Sequence, residues 1–246
     1  MPARAKLNLD LAVLGRTKDG LHEVRTHIQA VALHDLLELT RADRTTMTTN
    51  GYDIDASNNS VLNAHKAMQA EAGIELPTKF HLDKRIPPGS GMGGASSDAA
   101  AALRGLAAIH NLKVDVARIA ADIGADVPFF ITGGAARAEG RGERLTRLPA
   151  EPAWFAIAWP QIELSTAAVY HAWDEVKGDG ANQLTRAARH VEPRLDDFAT
   201  RLGHDWQMTG SGSAYFLRCD DEQAARKATA RLDCWTAVTH AVGAWA

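Results

Sequence analysis

Ile86-Pro-Pro-Gly-Ser-Gly-Met-Gly-Gly-Ala-Ser-Ser-Asp98, running straight into the helix-like segment Ala99 to Ile109, sets the terms for the rest of the chain. Gly89, Gly91, Gly93 and Gly94 let backbone N–H groups converge on an anion without a Cβ in the way, and the helix that follows aims its positive end at the same spot. Ser96 and Ser97 stand at the helix start, where a hydroxyl can cap the helix, meet a phosphate oxygen or bind the Mg²⁺ that accompanies it. For a glycine cluster alone, a Ser-capped loop without a ligand is the competing reading. Spacing excludes two familiar phosphate cradles. A Walker A loop requires Gly-Lys-Ser/Thr, whereas Gly94 is followed by Ala95, Ser96 and Ser97. The dinucleotide fingerprint requires Gly-x-Gly-x-x-Gly, and Gly89-Ser-Gly91-Met-Gly93 has the wrong register.

Around that loop lies a chain of 246 residues with 46% hydrophobic composition, long enough to bury a core in two modest domains or one large one. A net charge of −3 offers no broad basic field, so neither nucleic acid nor an anionic membrane is expected as a partner, and phosphate has to be bound locally. The opening Met-Pro-Ala-Arg-Ala-Lys runs into a strand pattern and leaves no room for a signal peptide. No apolar run approaches the roughly 18 residues needed to cross a bilayer. Cys219 and Cys234 are too few for a disulfide framework and form no Cys-x-x-Cys clip, so two free thiols in a reducing cytoplasm are expected.

Ala5, Leu7, Leu9, Leu11 and Val13 alternate with Lys6, Asn8 and Asp10, the period of a half-buried strand with one polar face. Lys18-Asp-Gly20 predicts a turn, and Val24 to Leu33 and Leu36 to Leu39 predict further strands interrupted by His34 and Asp35. Asn58-Asn59-Ser60 precedes Val61, Leu62, Ala64, Ala67 and Met68, a helical spacing behind a cap. Phe80 to Ile86 returns to strand, Val114 to Ile123 predicts a helix, and Val127 to Ile131 and Ala135 to Ala138 predict strands around Gly133-Gly134. Pro149 and Pro152 put a domain boundary near residue 150, giving units 1–150 and 151–246. Beyond it, Trp154 to Trp159, Ala214 to Leu217 and Trp235 to Val242 read as strands; Thr166 to Trp173, Arg194 to Leu202 and Glu222 to Leu232 read as helices. The pattern is weakest over Leu184 to His190 and over Asp174 to Ala181, where Gly178 and Gly180 suggest a loop. A sheet with helices on one face follows, an α+β arrangement.

Phosphoryl transfer to an alcohol needs a phosphate cradle, a cation near the transferring group and a carboxylate that can take the hydroxyl proton. Asp126, in Gly124-Ala-Asp-Val-Pro-Phe-Phe130, is a charge set against an apolar segment, where burial without a partner is costly. Lys6 lies on the polar face of the opening strand. Taken singly, Asp126 reads as a turn residue and Lys6 as a solvated edge lysine; with the glycine loop they form a set. Pro88-Gly-Ser-Gly-Met-Gly-Gly-Ala-Ser-Ser97 resembles the Pro-x-x-Gly-Leu-Gly-Ser-Ser-Ala loop of the GHMP kinases. In order and spacing, Ala5-Lys-Leu-Asn8, Asp19-Gly-Leu-His22, Asp83-Lys-Arg-Ile-Pro87, Gly124-Ala-Asp-Val-Pro128, Ala138-Glu-Gly-Arg-Gly-Glu143 and Met208-Thr-Gly-Ser-Gly212 resemble the same family. The matches run from residue 5 to about 217. They are most similar to the branch that phosphorylates the cytidine diphosphate ester of 2-C-methyl-D-erythritol on the non-mevalonate route to isoprenoids.

That resemblance implies an α+β GHMP kinase fold, a ribosomal-S5-like N-terminal domain followed by a ferredoxin-like C-terminal domain, with ATP and Mg²⁺ bound in the cleft between them. Asp126 would take the proton of the substrate's 2-hydroxyl, and Lys6 would keep Asp126 ionised and steady charge on the attacking oxygen. Pro87, Pro88, Gly89, Ser90, Gly91, Met92, Gly93, Gly94, Ala95, Ser96 and Ser97 would form the ATP phosphate loop, with Asn59 and Lys84 toward the adenosine end. Gly210, Ser211 and Gly212 would form a second glycine loop, for which a plain turn between strands is the alternative. At the cytidine end the family carries tyrosine where this chain has Leu21; His22 is kept, and Tyr170 falls on the opposite wall, so Leu21 and Tyr170 would sandwich the base. Asn8 would orient the erythritol or diphosphate portion. The sequence assigns no metal ligands. A cytoplasmic monomer or homodimer is expected. Two alternatives stay open: another GHMP kinase, acting on mevalonate, homoserine or an isoprenoid phosphate, and a nucleotide-binding regulator without catalysis. No Gly-x-Ser-x-Gly elbow is present, which removes a serine hydrolase.

Overall fold

The computed structural model describes residues 1–17, 20–52 and 59–245. Its first half contains the strands β1 (Pro2–Asn8), β2 (Ala12–Arg16), β3 (His22–Arg41), β4 (Thr46–Gly51), β5 (Thr78–Lys84), β6 (Ala135–Gly140) and β7 (Arg144–Leu148), with the helices α1 (Ser60–Ala72), α2 (Gly94–His110), α3 (Val116–Ile123) and α4 (Val127–Thr132). These strands make one sheet in the order β4-β5-β3-β6-β7, with β1 and β2 also paired to β3. The remainder contains β8 (Trp154–Trp159), β9 (Gln207–Met208), β10 (Tyr215–Cys219) and β11 (Trp235–His240), with α5 (Thr166–Val176), α6 (Thr185–Val191), α7 (Arg194–Leu202) and α8 (Glu222–Thr229). Its sheet runs β11-β8-β10-β9 and is antiparallel throughout. Among the described residues, no helix is long and apolar enough to cross a membrane.

The backbone of the first sheet is β3. Over its 20 residues it pairs with β2 and then β1 along one edge, and with β6 and then β5 along the other. One core, including Ile28, Phe80, Leu103 and Phe130, lies between this sheet and α1 to α4. Another, including Leu164, Trp173, Phe198 and Tyr215, holds α5 to α7. A third joins the two sheets by setting Ala5, Leu7 and Val31 against Phe155, Ile157 and Phe216. A register irregularity between Arg4 and Lys6 fixes which β1 side chains enter which layer. Ala3 belongs to the helix-side core; past the irregularity, Lys6 and Asn8 stand opposite Ala30 and Ile28 of that same core. That shift puts an amine on the face where α2 begins.

Residues 241–245 return to the first sheet. Val242 N–H donates to Ala30 O at 3.0 Å and Trp245 N–H to Thr132 O at 2.9 Å, while Gln29 Nε2 donates to Val242 O at 3.0 Å. The Trp245 ring packs on Gly133, with the guanidinium groups of Arg4 and Arg104 each 5.9 Å from its centroid.

Several sequence expectations are corrected here. The alternation over residues 5–13 spans two strands, because the Asp10 carboxylate accepts the His27 N–H at 2.7 Å and bends the chain between β1 and β2. His34 and Asp35 do not interrupt β3; the Asp35 carboxylate is buried and bonded to Lys84 and to the N–H groups of Arg85 and Ile86. Val127 to Ile131 is helical, not a strand. A short apolar run has no decisive period, and Pro128 in the first turn suits a helix start, where its missing N–H would have no partner anyway. Most of the faintly patterned Leu184 to His190 falls in α6. The proposed turn at Lys18-Asp19 and the cap candidate Asn58 lie outside the described residues.

Candidate active site

The glycine loop ends at Gly93, whose φ of 72° is left-handed, and α2 starts at Gly94. A cavity of about 480 Å³ opens over it. The loop faces the second glycine loop at backbone contact. A Cβ on Gly91 would stand 2.5 Å from Thr209 O, and one on Gly210 would stand 2.9 Å from Gly91 O and 3.1 Å from Lys6 Nζ. Glycine at 91 and 210 is therefore required by the approach of the two loops as well as by any ligand.

Lys6 Nζ sits in that seam. It donates to Gly91 O at 2.8 Å and to Asn8 Oδ1, and lies 3.9 Å from Asp126 Oδ2. Burial pulls the Lys6 ammonium below its ordinary value, and the Asp126 carboxylate opposes that shift. Asp126 occupies the position before α4 in αR conformation and makes no capping bond, so its carboxylate is left to the cavity. Its side chain is 38% exposed against 5% for Lys6, which makes the carboxylate the accessible member of the pair.

Most of the expected nucleotide residues line this cavity: Pro87 through Gly91, Gly93 through Ser96, Asn59, Lys84, Gly210 and Ser211. Three do not. Met92 is buried in the core between the sheets and contributes its carbonyl to the Lys6 N–H at 3.0 Å. Ser97 is buried in α2, so Ser96 is the helix-start serine on the cavity wall. Gly212 packs toward Met208 and Leu164. Other side chains are already committed. Asn59 Oδ1 caps α1 through the Val61 N–H at 2.8 Å, the Ser90 hydroxyl donates to Pro87 O at 2.6 Å, and the Ser211 hydroxyl bonds that of Thr166 at 2.9 Å. Asn8 uses its amide internally too: Oδ1 accepts from Lys6 and Nδ2 donates to Thr26 Oγ1 at 2.8 Å, so it positions the lysine.

A second cavity of about 780 Å³, lined by Arg16, Leu21, His22, Arg141 and Tyr170 among others, adjoins the first. Here the ring facing Tyr170 is His22, stacked at 5.0 Å and 24°, rather than the expected Leu21, which is 46% exposed on the rim. His22 Nε2 lies 2.9 Å from Asp174 Oδ1. Asp174 also receives both Nε and Nη2 of Arg16. Those bonds from Arg16 and His22 hold the Asp174 carboxyl well below its ordinary value.

With this geometry in place, the likeness to known proteins is specific. Residues 59–134 match the family described as GHMP kinases N terminal domain. The 4-diphosphocytidyl-2-C-methyl-D-erythritol kinase of Pseudomonas syringae pv. tomato is 34% identical over 251 residues, covering 94% of this chain and 89% of that relative. The enzyme of the same name from Cupriavidus metallidurans is 34% identical, covering 94% and 88%. A crystal structure of 4-(cytidine 5'-diphospho)-2C-methyl-D-erythritol kinase superposes with a TM-score of 0.85 at 30% identity, covering 99% of both chains. The chain belongs to the 4-diphosphocytidyl-2-C-methyl-D-erythritol kinase family, within the GHMP kinases. Mevalonate kinase of Methanococcus jannaschii, at a TM-score of 0.70, 12% identity and coverage of 99% and 98%, shares the fold alone. The α+β GHMP kinase fold expected from the sequence is the one observed, and the protein is an ATP-dependent small-molecule kinase.

Sequence reasoning missed two features of this GHMP kinase. Arg16 and Asp174 escape because residues 16, 22 and 174 share no spacing that a motif could reveal. The other is a buried triad beneath the phosphate loop. Lys84 Nζ bonds Asp35 Oδ2 and lies 3.0 Å from Asp98 Oδ2, all three side chains being 5% exposed or less. Burial pulls Lys84 down, and the carboxylates of Asp98 and Asp35 more than reverse it, leaving the ammonium above its ordinary value. Asp98, buried and with Oδ1 lacking a partner, is pushed up to about 8. Two carboxylates share one ammonium there, and a proton on Asp98 removes the surplus negative charge.

Proposed function

We propose that this kinase transfers the γ-phosphoryl group of MgATP to the 2-hydroxyl of 4-diphosphocytidyl-2-C-methyl-D-erythritol, a step toward isoprenoid precursors. The observation that carries the reading is the meeting of Lys6, Asp126 and the glycine loop in one cavity that adjoins a second one holding His22 and Tyr170. The names of the relatives support the substrate.

In this scheme the loop from Pro87 to Ser96 cradles the ATP phosphates, with Asn59 and Lys84 forming the wall toward the adenosine and Gly210 and Ser211 closing the opposite side. Asp126 accepts the hydroxyl proton as the substrate oxygen attacks the γ-phosphorus; the bond to the β-phosphate oxygen breaks, ADP leaves, and the proton passes from the exposed carboxylate to water. Lys6, held by Asn8 and Gly91, offsets the charge building on the attacking oxygen. His22 and Tyr170 address the cytosine, with Leu21 at the rim. Among the described residues no group of three or more His, Cys, Asp or Glu side chains could hold a metal by itself. Asp126 and Ser96 are oxygen donors on the cavity wall that would help to hold the Mg²⁺ accompanying ATP, which would supply neutralisation of phosphate charge.

The same reading divides the chain into units 1–150, with the ATP loop, and 151–246, with the second glycine loop, in a cytoplasmic monomer or homodimer without nucleic-acid or membrane partners. Incubation of the purified protein with ATP and the cytidine ester, with mevalonate and homoserine as controls, tests it. Transfer to the cytidine ester alone is expected; transfer to a control alcohol in its place would overturn the assignment.

A further inference from the structure

We infer that Arg141 binds the diphosphate of the cytidine substrate, gripping it where the two cavities meet. The inference rests on the reading above for what the substrate is, and on the cavity walls for where its middle must lie. Ala125, Arg141 and Tyr170 line both cavities. With cytosine at His22 and the reacting hydroxyl at Asp126, the diphosphate crosses that shared wall. It is a dianion and needs a cation there.

Among the described residues, the cavity cations leave one for the task. Lys6 is bonded to Gly91 and Asn8 beside Asp126, and Lys84 is buried against Asp35 and Asp98. Arg16 is engaged by Asp174 and by Gly20 O, and His22 also bonds Asp174. His171, on the second cavity, lies 3.9 Å from Glu175. Arg141 is exposed, and its guanidinium has no ion pair or hydrogen bond among the described residues. Only its backbone N–H is used, donating to Glu143 Oε2 at 2.7 Å, which ties that carboxylate back to the loop.

The loop is shaped to bring that side chain in. Arg141 sits between β6 and β7, flanked by Gly140 and Gly142, whose φ values are 73° and 114°. A Cβ on Gly142 would be 3.7 Å from Asp126 Oδ1, so the hairpin tip rests against the shoulder of the transfer site. A guanidinium fork there matches the paired oxygens of a phosphate.

A contact to the diphosphate is made equally before and during transfer, so it sets affinity more than rate. Arg141→Gln should raise KM for the cytidine ester by about 10- to 100-fold while kcat stays within a few-fold and KM for ATP is unchanged. Arg141→Lys should recover part of the loss. Calorimetry with CDP and with cytidine reads the same contact without turnover: CDP should bind the native protein more tightly than cytidine does, and Arg141→Gln should erase that advantage. An intact CDP advantage in Arg141→Gln overturns the inference, as does an increase in KM for ATP in place of the ester. Failure of the native enzyme to phosphorylate the ester would strike the functional reading instead, and the CDP and cytidine comparison would still decide the role of Arg141.

Discussion

Lys6 and Lys84 are both buried and stand beneath adjacent glycines, Gly93 at the end of the loop and Gly94 at the start of α2, yet they are placed for opposite purposes. Lys84 has two carboxylates, both sealed in with it, and its ammonium is raised. Lys6 has one carboxylate, at 3.9 Å and open to the cavity, and its ammonium is lowered. What separates a structural pin from a poised cation is thus the location of the partner anion. Where the carboxylate is interred with the lysine, the charge is used up holding β3, β5 and α2 together; where it faces a cavity, the pair keeps electrostatic capacity for a ligand.

Exchanging these roles by mutation tests the contrast. The largest effect is expected in turnover: Lys6→Ala and Asp126→Asn should each cut kcat by about 10²- to 10⁴-fold, with nucleotide binding largely retained in a titration with an ATP analogue. Near-normal turnover in Asp126→Asn would remove it as the base. Next comes stability. Lys84→Met leaves two buried carboxylates without their cation and should cost about 3–5 kcal/mol in urea unfolding, whereas Lys6→Ala should cost clearly less. Equal losses would erase the distinction. The remaining test concerns pH. Asp98 holds its proton up to about 8 when folded, against 3.8 for a free aspartate, so its contribution to stability is full below pH 4 and fades as pH rises toward 8. Asp98→Asn should flatten that part of the stability profile, and a slope identical to that of the native protein would contradict the buried, proton-holding carboxyl.

Much of this arrangement could be read in the chain beforehand because motifs are local. The glycine loop, its helix and the company of Lys6 and Asp126 each left a compact signature, and the structure brings Lys6, Asp126 and the loop together. What could not be read was set by contacts distant in sequence. Asp35 looks like a strand breaker until Lys84, 49 residues later, accounts for its burial. Asp10 divides an unbroken alternation by a bond to the His27 backbone. The β4 segment Thr-Met-Thr-Thr-Asn-Gly is too polar to announce a strand and is held in place by parallel pairing to β5. Asp174 becomes informative only when folding carries it to His22 and Arg16.

The return of residues 241–245 to β3 and α4 bears on how the polypeptide is made. Because Val242 and Trp245 pack on the core of the first sheet and bond its backbone, that layer keeps an open seam until translation has passed residue 245. A nascent chain halted near residue 150 would carry every strand of that sheet and still lack its fastening, which makes the amino-terminal half a poor candidate for independent expression.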